Sequence, residues 1–154
     1  MSFARTLRPL ALAAALIGAG AASAQSVTDR IEARQGQFKL YALHLGPLAM
    51  MAQGRMDYDA AIAQAAADNL VALSALDQGL LWPEGSDSAS MQGTRALAAI
   101  WDNPEDFAAR LLALNEGAVA LAAVAGDGQG ALGGALGGVA GACSACHQAY
   151  RAPQ

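Results

Sequence analysis

The sequence predicts an all-α protein, an antiparallel four-helix bundle. Three observations predict it. Apolar residues recur at spacings of three and four, not two. β-Branched residues are few and no strand alternation appears. Turn-forming stretches divide the chain into four long segments with short connections. The 154 residues suit one domain. At 55% hydrophobic, with a net charge of −4, the chain has the composition of a folded domain. Aromatics make up only 5%, so the core is drawn mainly from Ala, Leu, Val and Met.

The first stretch reads as an address. Arg5 and Arg8 precede an apolar run over 10–22, and Ala22-Ser23-Ala24 supplies small residues for cleavage. This is the layout of a secretory signal peptide, 1–24, cleaved after Ala24 to leave 25–154 as the domain. The competing reading is a transmembrane anchor, but the run is short for a span and no stop-transfer pattern follows. The frame is an exported acidic protein of the bacterial periplasm. Beyond that stretch no uncharged apolar run could cross a bilayer, so no stable membrane association is expected. Nine basic against thirteen acidic residues offer no surface for nucleic acid. Two cysteines exclude a disulfide-rich scaffold.

The first helical segment covers about 27–53. Ile31, Arg34, Phe38, Tyr41, Leu45 and Leu48 share one seam, and Pro47 after Gly46 predicts a kink or local break. Leu40, Leu43, Pro47 and Met50 make a second apolar face, which asks for an extra partner. The second segment covers about 57–81, with Asp57 as N-cap and Ile62, Ala66, Leu70, Leu73 and Leu80 as its stripe. Pro83 blocks continuation.

A loop over 83–94 is rich in Gly, Ser and Asp, and a short helix is expected over 95–101. The third segment has a clear start. Asn103 caps, Pro104 takes the first helical position, and Glu105 and Asp106 complement the helix dipole. Its stripe is Phe107, Leu111, Leu114, Ala118 and Leu121, and Gly126-Asp127-Gly128 ends it. The fourth segment covers 129–151, with Leu132, Leu136, Val139, Cys143, Cys146 and Tyr150 in phase. Its glycines make it a poor helix former. A low-complexity linker over 126–141 is therefore the rival reading.

Cys143-Ser144-Ala145-Cys146-His147 carries the chemistry. It is the attachment pattern of a c-type haem. On a helix, positions i and i+3 share a face, so both thiols reach the vinyl groups along one haem edge. His147 then offers an imidazole nitrogen to the iron. Three other readings compete. A thioredoxin-like pair wants a βαβ context. A zinc site wants a fourth ligand, and His44 is the only other histidine. A disulfide at this spacing on a helix has poor geometry. An export signal favours covalent haem over all three.

A motif so late in the chain, with four helices, resembles the cytochrome c′ family, the class II cytochromes c. The resemblance covers the whole expected domain. It rests on Cys143-Ser144-Ala145-Cys146-His147-Gln148-Ala149-Tyr150-Arg151, on Ala33-Arg34-Gln35-Gly36-Gln37-Phe38, and on Ile100-Trp101 with Asp106-Phe107. It implies one covalent haem c, with His147 as the iron ligand. It also implies that Arg34 and Gln35 lie near the haem carboxylates, with Thr94 as a further contact. For Arg34 the residue pattern agrees, because a charge on the apolar seam wants a partner. A snorkelling arginine is the alternative. The family's usual Glu after Thr94 is Arg95 here, a departure at that polar contact.

Phe38 takes the position at which low-spin relatives place an iron-binding Met. The resemblance therefore implies five-coordinate, high-spin iron with an apolar group over its open face, admitting NO and CO. It places basic Arg151 near the proximal face, one helical turn beyond His147. Six residues from Phe38, His44 points away from that face. None of the methionines has the distal spacing.

The expected function is gas binding with some electron transfer to an unknown redox partner. The alternative is a low-spin class II cytochrome acting purely as an electron carrier. An enzyme is not expected, because no distal His/Arg pair is legible. A helical interaction protein without haem is the last reading. Family members dimerise through their first two helices, so a homodimer is expected.

Overall fold

The computed structural model describes the backbone of residues 18–153 and side chains from 27 onward. Most of the expected leader lies outside these residues. Helix α1 is Gly18–Ala52, α2 Ala60–Ser74, α3 Ala99–Asp102, α4 Pro104–Ala122 and α5 Gln129–Tyr150. A 3₁₀ turn, Gly79–Leu81, sits between α2 and α3. No strand occurs among the described residues, only one isolated antiparallel bridge between Ala96 and Arg151. Helix α4 packs most extensively against α5 and α2, and α1 against α2 and α5. This is the expected four-helix bundle, with the one-turn α3 as an appendage.

Several boundaries differ from expectation, each for a local reason. Helix α1 begins ahead of residue 27, where the stretch before Val27 is rich in Ala and contains no proline. It also runs through Pro47 without the expected break. Pro47 has no N–H to donate to the Leu43 carbonyl, but Leu43 is 65% exposed, so water reaches that side of the helix. Gly54 at φ 67 turns the chain after α1.

The cap of α2 is Asp59, not Asp57. Its carboxylate accepts from the Ile62 amide at 2.9 Å. Of the expected stripe Ala66 and Leu70 are buried and Leu73 packs against the core, joined by Ala63 and Ala67, while Ile62 and Leu80 are exposed. The helix stops at Ser74, well short of residue 81, and the Ser74 hydroxyl donates back to the carbonyls of Leu70 and Val71.

Helix α3 is shorter than the predicted 95–101, because 94–96 are engaged in bonds to other segments. Asn103 and Pro104 open α4 as expected, though the Asn103 side chain donates to Ala99 O and does not cap. Helix α5 forms throughout, so 126–141 is no linker. A Cβ at Gly117 of α4 would lie 3.3 Å from the backbone of Gly138 and Val139, so the two helices touch main chain to main chain there.

The core has two parts. The larger is aliphatic and includes Leu48, Met51, Leu70, Leu121, Leu132 and Val139, all fully buried. The smaller gathers Ala96, Ile100, Phe107 and Tyr150, with Trp82, Trp101, Leu111 and Cys146 packed against it.

Candidate functional site

At the aromatic end a cavity of about 630 Å³ opens between α1, α4, α5 and the loop before α3. Helix α5 contributes Cys143, Cys146 and His147, so the attachment motif faces the cavity as its spacing predicts. Helix α1 contributes Arg34, Gln35 and Phe38, and the loop contributes Trp82 and Thr94. Arg95 and Arg151 complete the rim. Every site residue named from the sequence therefore lines one space.

Arg34 is 3% exposed. Its terminal nitrogens donate to Leu81 O (3.3 Å), Ser86 Oγ (3.1 Å), Ser86 O (3.1 Å) and Thr94 Oγ1 (2.9 Å). Its guanidinium carbon stands 4.2 Å over the Trp82 ring. All these partners are neutral, and no carboxylate pairs with Arg34 among the described residues. The burial lowers its pKa, a sign that the positive charge lacks compensation. Gln35 Nε2 donates to Gly93 O at 2.6 Å. The Thr94 hydroxyl oxygen also accepts from the Ala96 amide.

Two placements correct the sequence reading. Arg151 is not a further turn of helix: it is the extended residue that ends α5 and bridges to Ala96. It still lines the cavity beside His147. Arg95 donates from its guanidinium to Ala152 O, and Ala152 N donates to Arg95 O at 2.8 Å. The residue that departs from the family's Glu thus clasps the segment after α5.

Burial raises the pKa of both thiols, and the Cys143 charge adds to the effect at Cys146. His147 is pushed down, first by burial and then by Arg151 and Arg95, which favours the neutral imidazole that binds metal. Tyr41, in the cavity wall, is pushed up to about 12 by burial. Tyr150 donates to Asp106 Oδ2 at 2.6 Å, and Arg110 pairs with the same carboxylate at 3.1 Å. That network fixes the end of α5 to α4. A second, more open groove of about 640 Å³ shares Leu45, Arg95, Cys143, His147 and Arg151 with the cavity, so His147 stands between the two.

The residues fit a haem. The walls are mainly apolar and aromatic, two thiols and an imidazole come from one helix face, and a buried guanidinium waits for an anion. Neither His44 nor any methionine lines the cavity. Sequence reasoning missed Trp82, Ser86 and Arg110. Trp82 was hidden because the adjacent Pro83 reads simply as a helix stop. Ser86 lies in a loop whose composition signals only turns.

A sequence profile described as cytochrome c′ matches residues 29–151. Cytochrome c′ of Cereibacter sphaeroides is 44% identical over 147 residues, covering 96% of this chain and 97% of that protein. A solved cytochrome c′ from Rhodobacter sphaeroides superposes with a TM-score of 0.81 at 43% identity, covering 83% of this chain and 98% of that one. Two solved relatives at 30% identity bear on ligands. One is a cytochrome c′ with ligand-controlled dimer dissociation, TM-score 0.75, covering 83% of this chain and 98% of the other. The second is a ferrous cytochrome c′ variant from Alcaligenes xylosoxidans with bound NO, TM-score 0.72, covering 84% and 98%.

Proposed function

This chain belongs to the cytochrome c′ family, and from that membership we propose that it is a periplasmic haem protein that binds the diatomic gases NO and CO and also passes electrons. The family carries haem c covalently. In this chain Cys143 and Cys146 would hold it through thioethers, and His147 would ligate the iron. Bound haem would supply a redox-active iron able to take up a small ligand. Arg34, Gln35 and Thr94 would neutralise and orient its carboxylates.

The observation that carries the gas-binding reading is Phe38 in the cavity wall, where neither a methionine nor a histidine other than His147 is present. A phenyl ring cannot ligate iron. It excludes bulky and charged molecules by size and polarity, and yields to a small uncharged one by rotating. The relative with bound NO supports the same ligand class here. On this reading the protein holds its ligand without transforming it. The second apolar face of α1 is exposed at Leu40, Leu43 and Met50. It supports a homodimer built on the first two helices, as does the relative whose dimer dissociates under ligand control.

The test is an absorption spectrum of the protein purified from the periplasm, oxidised and reduced, with and without NO or CO. A high-spin ferrous spectrum that shifts with gas is expected. A low-spin spectrum indifferent to gas overturns the reading and makes the protein a dedicated electron carrier.

A further inference from the structure

Among the described residues, the indole Nε1 of Trp82 is a buried donor with no hydrogen-bond acceptor. Natural proteins rarely leave such a donor unpaired. The ring has little freedom to seek a partner. Phe107 meets it edge-on at 4.8 Å, Phe38 at 6.3 Å, and Arg34 lies over its face. Its own carbonyl is engaged by Trp101 Nε1 at 3.2 Å. The ring nevertheless lines the cavity that fits the haem.

Arg34 sharpens the point. Its four hydrogen bonds engage both terminal nitrogens, so the guanidinium offers an incoming anion its charge but few free N–H groups. A carboxylate settling beside Arg34 needs a directional donor from elsewhere. The unpaired N–H of the ring beneath that same guanidinium is such a donor, beside those of Gln35 and Thr94.

We propose that Trp82 Nε1 donates a hydrogen bond to a haem carboxylate, supplying the directional contact beside the charge of Arg34. This rests on haem in the cavity and not on gas binding, so it survives if the iron proves low-spin. The rival acceptors are a ligand on the iron, because Phe38 borders the same ring, and a trapped water.

The test is Trp82→Phe in the haem-loaded protein, which removes the donor and keeps an aromatic ring. The readout is the pH dependence of the haem midpoint potential, together with the C–O stretch of the ferrous CO complex. A hydrogen bond to a charged group holds its proton affinity down about ten- to hundredfold, so the carboxylate inflection should rise by about one to two pH units in the variant. The C–O stretch should stay put. An inflection that does not move overturns the proposal: with a shifted stretch the donor serves the iron's ligand, and with neither shifted it serves water. Should the variant fail to load haem, ultraviolet resonance Raman on the unsubstituted holoprotein decides. A Trp82 indole band that changes across the inflection supports the proposal, and one that does not respond overturns it.

Discussion

The two ends of the bundle are built on opposite plans. One end is closed: Leu48, Met51, Leu70, Leu121, Leu132 and Val139 are buried among alanines and satisfied by one another. The other is arranged around a space. Its aromatic walls hold two free thiols, a guanidinium with only neutral partners and an indole N–H with none. Aliphatic packing needs nothing further once the chain has folded. The cavity end holds polar groups whose burial is costly until something fills it. The difference teaches where stability and function are separable in this molecule.

The sharpest way to break the comparison is to remove both thiols. Cys143→Ser with Cys146→Ser should abolish covalent haem retention completely, read by haem stain on a denaturing gel. Amides of the aliphatic end should stay protected from hydrogen exchange while those around Trp82 and Phe107 lose protection. Equal loss at both ends would mean that the two are one cooperative unit.

Next in size is a cavity at the closed end. Leu70→Ala should cost about 2–5 kcal/mol in urea denaturation and leave the haem spectrum unchanged. A spectral change would show that the ends are coupled. Gly117→Ala should cost about 1–3 kcal/mol, because the new methyl meets the α5 backbone at 3.3 Å. Gly134→Ala, whose Cβ meets nothing, should add about 0.5–1 kcal/mol.

The smallest effect is pH-linked. Tyr150, and after it Arg110, holds the Asp106 carboxyl below its usual range. A depressed folded pKa contributes stability that is present above the ordinary carboxylate value and lost as pH falls through the folded one. Tyr150→Phe should therefore weaken the protein more at pH 6 than at pH 2, by urea titration at both. An equal loss at both would assign the tyrosine a packing role alone.

Much of this was legible in the sequence, unevenly. In α5 the seam from Leu132 to Tyr150 stood out because its apolar residues alternate with glycines. In α2 alanines surround Ile62 and fill much of the helix, so the stripe had little contrast, and the cap proved to be Asp59, two residues beyond the expected Asp57. The attachment motif announced itself chemically. Arg34, Gln35, Thr94 and Phe38 were found mainly through resemblance, because what unites them is a space that none of them encodes alone. The turn at Arg151 depends on Ala96, far away in sequence, and no local pattern reports it.

The contact between Gly117 and the α5 backbone also bears on inheritance. As the gene drifts, position 117 has little licence to gain a side chain. Gly130, Gly134, Gly137 and Gly141 lie in helix facing open space, where a methyl meets nothing. Lineages descended from this chain should lose those four glycines freely while keeping the one, so a glycine-rich last helix is a passing habit of composition and the crossing at 117 a lasting one.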